Sequence, residues 1–199
     1  MNRDLKRQID FIYTLEKMKT VYRKTHLVYG DRYENDAEHS FHIAAMALIL
    51  KDHAPSHVDI SRVVAMLLFH DVVEIEAGDT FAYDKKLNES KREREVAAAN
   101  KLYGSLPEEL GEEFRNLWEE FEAQKTPESH FALAMDRMEP ILLNAVNDGG
   151  TWNEHHILYE DVLKRIAPIA RYPDLYDVIL KKVDDYFNKE VDHDKDTIG

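Results

Sequence analysis

Cysteine is absent from the 199-residue chain, which excludes disulfides, thiolate catalysis and any thiolate-ligated zinc or iron–sulfur centre. Only nitrogen and oxygen atoms remain as metal ligands. Glycine is scarce at seven residues and no Pro/Gly/Ser-rich linker divides the chain, so one domain with one sizeable core is expected. The β-branched alternation that marks strands is almost missing, and apolar segments outrun typical strands. The pattern therefore predicts an all-α fold. Long hydrophobic runs are missing too: IAAMALIL and VVAMLLF are far too short to span a bilayer, and the start MNRDLKRQIDFIYTL has no apolar signal core. A cytoplasmic location is the expectation. Basic residues are the minority, 26 against 39 acidic, for a formal net charge of −13. Such a field repels a nucleic-acid polymer or an anionic membrane. A small phosphorylated ligand stays compatible with it, because a bound cation reverses the local field.

What is present reads as about seven helices. Leu5, Ile9, Ile12, Leu15, Met18 and Tyr22 recur at helical spacing, and a less regular loop extends from there to about Asn35. Asn35 or Asp36 caps a second helix, with Glu38 suited to its first turn and His39, Ile43, Met46 and Leu50 along one stripe. Asp59 is the expected cap of a third helix running through VVAMLLFHDVVE, with Gly78 in the turn beyond. A fourth spans about Glu89 to Tyr103, and Pro107 and Thr126-Pro127 open a fifth and sixth. In the sixth, Pro140 has no N–H for the Asp136 carbonyl, which predicts a kink or local loosening. Amphipathic stretches around 153–167 and 174–187 complete the bundle, and VDHDKDTIG reads as a polar tail.

The segment LLFHDVVE places His70, Asp71 and Glu74 beside an apolar run. On a helix, residues three and four apart reach a common region. Groups that are costly to bury alone are explained if they face a divalent cation. The His-Asp pair itself is weak evidence, since about one is expected by chance in such a chain. Other polar residues on apolar helices are His39 and Asp136, the latter within ALAMDRMEPILL. Singly, a hydrogen-bonded core histidine and an Asp paired with Arg137 account for them.

Together, His39, His70-Asp71 and Asp136 on three successive core helices resemble the HD-domain metal-dependent phosphohydrolases, over roughly residues 5–146. NDAEHSFHIAAM, FHDVVEIEAGD and LAMDRMEPIL are similar to the 5′-deoxynucleotidase branch of that family. The H-D-x-x-E-x-x-x-G-D spacing is the most specific part. The resemblance implies an HD-domain helical bundle over residues 1–190, with the tail at 191–199. It implies that His39, His70, Asp71 and Asp136 ligate one divalent ion. Two imidazoles and two carboxylates suit Mn²⁺, Co²⁺, Fe²⁺, Ni²⁺ or Zn²⁺. By the same resemblance a metal-bound water attacks the phosphate of a nucleoside 5′-monophosphate, a deoxyribonucleotide in particular. Glu74 then positions or deprotonates that water, Asp79 assists the leaving group, and Arg23 clamps the phosphate. A homodimer is implied as well.

In the bacterial deoxynucleotidases an Arg in this region precedes a Trp that helps select deoxyribose, whereas Lys24 comes after Arg23 here; Arg32 is an alternative clamp. Two rival readings are another HD hydrolase, acting on guanosine tetraphosphate or a cyclic dinucleotide, and a non-catalytic metal or nucleotide sensor. Ile75 after Glu74 and the lack of a GYP triplet count against the first. The set of ligand candidates plus Glu74 counts against the second. His42 and His130 are read as satisfied histidines, His155-His156 as surface, KREREVAAAN as a solvated face, and Met135 and Met138 as core.

Overall fold

In the computed structural model, which describes residues 2–196 with the side chains of 85 and 189–196 excepted, the chain is a helical bundle carrying one small hairpin. Helix α1 (Arg3–Leu15) is capped by the Asn2 side chain and passes into a 3₁₀ turn at Glu16–Thr20. The predicted first helix therefore stops short of Tyr22. In place of the expected irregular loop, β1 (Tyr22–His26) pairs antiparallel with β2 (Tyr33–Asn35). Three to five residues per strand, with an irregular register between Tyr22 and His26, left no alternation to read.

Helix α2 (Asp36–Ile49) opens on a capping box in which the Asn35 side chain accepts from Glu38 N–H and the Glu38 carboxylate accepts from Asn35 N–H. Asn35 is thus the cap, and Asp36 is freed to be buried. Asp59 caps α3 (Ile60–Phe69) by accepting from Ser61 and Arg62 N–H. The predicted third helix does not continue through Glu74. Residues 70–73 form tight turns, with Glu74 N–H donating to the Asp71 carbonyl, before the short α4 (Glu74–Ala77). Gly78, at φ 75°, then reverses the chain in a conformation that side chains resist.

Two charged helices come next, α5 (Lys85–Glu89) and α6 (Lys91–Tyr103), then α7 (Glu108–Ala123) and α8 (Pro127–Val146). Helix α8 begins at a Thr126–Ser129 capping box with Pro127 in its first turn, and continues as one helix through Pro140. The stretch predicted at 153–167 divides into α9 (Thr151–Glu154) and α10 (Tyr159–Ile166), and α11 (Pro173–Asp196) closes the bundle. The segment expected to be a polar tail is thus helical to Asp196, and 197–199 lie outside the described residues.

Helix α8 is the hub. Phe131, Ala132, Met135, Met138 and Ile141 pack with Ile43 and Ala47 of α2, Val63, Met66 and Leu67 of α3, and Ile179 and Val183 of α11. A second apolar cluster joins Phe11 and Met18 to Val72, Val73, Tyr103 and Trp118. The 70–77 segment lies between the two, so its polar side chains emerge where the clusters meet. No described helix is long and apolar enough to cross a membrane.

Candidate functional site

His39, His70 and Asp136 come from α2, the end of α3 and the middle of α8, and each places one donor atom within 4.8 Å of the other two. His39 Nε2 is 3.2 Å, and His70 Nε2 3.8 Å, from Asp136 Oδ1. Asp71 stands beside this trio. Its Oδ2 is 3.0 Å from His70 Nε2 and 4.0 Å from His39 Nε2, while its nearest cation is Arg23 Nη1 at 2.7 Å. A second acidic group, Asp36, Asp71 and Glu74, adjoins the first through Asp71. All six of these residues are buried.

The two imidazoles are oriented from behind. Nδ1–H of His70 donates to the Leu67 carbonyl at 2.9 Å, which leaves its Nε2 lone pair facing the carboxylates; that buried atom has no hydrogen-bond partner. Nδ1 of His39 faces Glu139 Oε2 at 3.3 Å and Glu34 Oε2 at 3.5 Å, so its Nε2 likewise faces inward. Carboxylates behind metal-binding imidazoles fix ring orientation and tautomer in just this way. Glu34, Asp36 and Glu139 were missed in the sequence. Glu139 is three residues beyond Asp136 on the same apolar helix, so the signal that found Asp136 was there to find it.

Electrostatics describe a place that demands positive charge. Burial and Arg23 press the His39 imidazole toward neutrality, yet Glu139 and Asp136 outweigh them and hold its pKa well above the ordinary value. Burial raises the Asp71 and Asp136 carboxyls, but His70 and Arg23 for Asp71, and His39 and Arg137 for Asp136, bring both below the usual range. Burial pushes Glu34 up to about 7, with Glu139 adding to it, and pushes Asp36 up to about 7, with Asp71 adding. Glu74 is driven well above its ordinary value by burial, then by Asp71 and Asp36. Two inward nitrogens among buried carboxylates are a donor set that fits a divalent ion.

His70, Asp71 and Asp136 line a cavity of about 350 Å³ whose wall also includes Arg23, Glu74, Asp79, Lys91, Arg137 and Trp152. Asp79 reaches it because Gly78 turns the chain; α5 is capped by Asp84, so Asp79 is not that helix's cap. Burial raises the Asp79 carboxyl. The KREREV stretch is not merely a solvated face. Arg94 donates to the Ala77 carbonyl and to Thr80 Oγ1, pinning the turn that carries Asp79, and Glu95 is buried against Lys91 at 3.3 Å.

Arg23 sits on β1, not in a loop, and its guanidinium is already ringed by Asp71 at 2.7 Å, Asp36 at 3.6 Å and Glu34 at 3.8 Å. Arg32 points elsewhere, donating to Glu38 at 2.8 Å. His42 binds Glu139 Oε1 at 2.9 Å, His130 contacts the Gln124 carbonyl, and His155 and His156 are exposed. Met135 and Met138 are core residues.

A trio of nitrogen and oxygen donors from three helices, flanked by Asp71, Glu74 and Asp79, defines a class before it defines a member. The chain belongs to the HD domain family, whose model matches residues 15–174. It is similar to the 5′-deoxynucleotidase HDDC2 of Bos taurus, 35% identical over 136 residues, 67% of this chain and 64% of the relative. The 5′-deoxynucleotidase HDDC2 of Homo sapiens is 34% identical over 67% of this chain and 65% of its own. The matched segment thus spans just under two thirds of these curated relatives. A crystal structure of a "Predicted metal-dependent phosphohydrolase" from Magnetospirillum magnetotacticum MS-1 superposes with TM-score 0.90 and 41% identity, covering 94% of both chains.

Proposed function

We propose that the chain is a metal-dependent phosphohydrolase that releases inorganic phosphate from nucleoside 5′-monophosphates, deoxyribonucleotides foremost. The observation that carries this reading is the His39–His70–Asp136 trio, of which His70 and Asp136 line one cleft together with Glu74 and Asp79. The names of the bovine and human relatives support the substrate class. His39, His70 and Asp136 would hold the ion, with Asp71 completing the set by turning from Arg23. Mn²⁺, Co²⁺, Fe²⁺, Ni²⁺ and Zn²⁺ all suit these donors. When bound, the ion supplies Lewis acidity toward a phosphate oxygen and makes a water acidic enough to react at neutral pH.

The protein's own groups handle the protons. Glu74 has a buried carboxylate oxygen without a hydrogen-bond partner, so it can orient the attacking water and take its proton as the new O–P bond forms. Asp79, on the wall of the same cleft, delivers a proton to the departing 5′ oxygen as the P–O bond breaks. Arg23 steadies the phosphate once Asp71 no longer engages it. The reading extends to a cytoplasmic homodimer in which residues 1–190 are the HD domain; gel filtration with light scattering tests the dimer.

Metal analysis of the purified protein, and then a phosphate-release assay over nucleoside 5′-monophosphates, 3′-monophosphates and diesters, tests the function. Turnover of the 5′-monophosphates with one divalent ion per chain is expected. Metal-loaded protein that binds these nucleotides and hydrolyses none would favour the sensor instead. Glu139 offers a separate check on the metal centre. Replacing it with Gln removes the charge behind His39 and should weaken metal affinity about 10- to 100-fold. Competition against a chelating dye measures this, and unchanged affinity would detach Glu139 from the centre.

A further inference from the structure

Past Asp136 the cleft joins a second cavity, and the two share Ala82, Tyr83, Asn88, Arg137 and Arg165. Two arginines on this common wall stand out in a chain of net charge −13. Arg137 is next to Asp136 on α8, and Arg165 lies on α10. The situation of Arg137 differs from that of Arg23, whose charge is already balanced by three carboxylates within 3.8 Å. Arg137 reaches the Asp136 carboxylate only at 3.7 Å, beyond hydrogen-bond range, and its buried Nη1 has no hydrogen-bond partner among the described residues. A buried guanidinium nitrogen without an acceptor is costly, and an anion in the cleft would supply one. Lys164 also lines the second cavity but is held by Asp161 at 2.8 Å.

We propose that Arg137, with Arg165 on the shared wall, forms a phosphate-recognition subsite distinct from the Arg23 side of the cleft. A planar guanidinium offers paired donors to two phosphate oxygens, which a lysine cannot match. The subsite takes a phosphate group, either the one being released or a second one carried by the nucleotide. The identity of that anion rests on the phosphohydrolase reading; the existence of the subsite does not.

The test uses the protein as purified with its metal and inorganic phosphate as the calorimetric probe. Arg137→Met should weaken phosphate binding about 10- to 100-fold, the loss expected for one charge-assisted contact. Arg137→Lys should recover part of it, Arg165→Met should weaken it less, and Lys164→Met should leave it unchanged. Melting curves and circular dichroism verify the fold, and Arg137→Gln serves if the methionine variant does not fold. Kinetics then identify the source. A raised KM for a nucleoside 5′-monophosphate assigns the released phosphate, and an effect confined to a nucleoside 3′,5′-bisphosphate assigns a second one. Either result supports the subsite. Folded Arg137 variants that bind phosphate like the parent overturn it, while parent turnover of nucleotides would leave the hydrolase reading standing. Conversely, Arg137-dependent phosphate binding without nucleotide turnover would sink only the hydrolase reading.

Discussion

Glu74→Gln should keep its divalent ion and lose activity by about two orders of magnitude or more, the contribution of a positioned general base. Glutamine preserves the shape of a side chain that is 3% exposed, so the local packing survives. It cannot accept the proton of the attacking water. Burial together with Asp71 and Asp36 raises the affinity of Glu74 for a proton. Plasma mass spectrometry for the metal and a colorimetric phosphate assay for turnover separate the two properties. Full activity in the glutamine variant would remove Glu74 from the chemistry, and loss of metal would recast it as part of the ion's support.

Asp136→Asn should act one step earlier. Its Oδ1 is the oxygen that both imidazoles face, at 3.2 Å from His39 and 3.8 Å from His70. Removing that negative charge leaves the two imidazoles with Asp71 as the only anionic donor of the set. Partners behind the ligands typically account for up to about 100-fold in affinity, so a direct ligand should exceed that figure. Dialysed protein would then contain little metal, and phosphate release would fall to background. An Asp136→Asn protein with a full complement of metal would place the ion elsewhere, the Asp36–Asp71–Glu74 group being the nearest alternative.

Much of this centre was visible in the sequence because burial of charge is visible there. His70, Asp71 and Glu74 interrupt an apolar run at spacings that keep neighbours together, and Asp136 interrupts another. The helical periodicity behind α2, α3, α6, α7 and α8 comes from the same alternation of buried and exposed faces. The hairpin was hidden because its strands are too short for a period to declare itself, and Glu34 was hidden with it. Asp36 resembled one more helix cap until the structure showed Asn35 capping and Asp36 wholly buried. The break after Phe69 had no proline or glycine to announce it; turns at 70–73 carry the buried polar side chains into the cleft between two apolar clusters. Arg23 was singled out in the sequence, but its ring of carboxylates belongs to tertiary structure alone.

The hairpin that carries Arg23 is fastened from the far end of the chain. Thr151 Oγ1 donates to the Lys24 carbonyl, Asn147 Nδ2 to those of His26 and Leu27, and Glu154 engages His26 at 2.6 Å, over separations of 120 to 128 residues. Such distant pairings close late, after local helices have formed. During synthesis the strand emerges well before residues 147–154, the partners that fasten it. A chain ending before Asn147 would lack every one of these contacts to the hairpin.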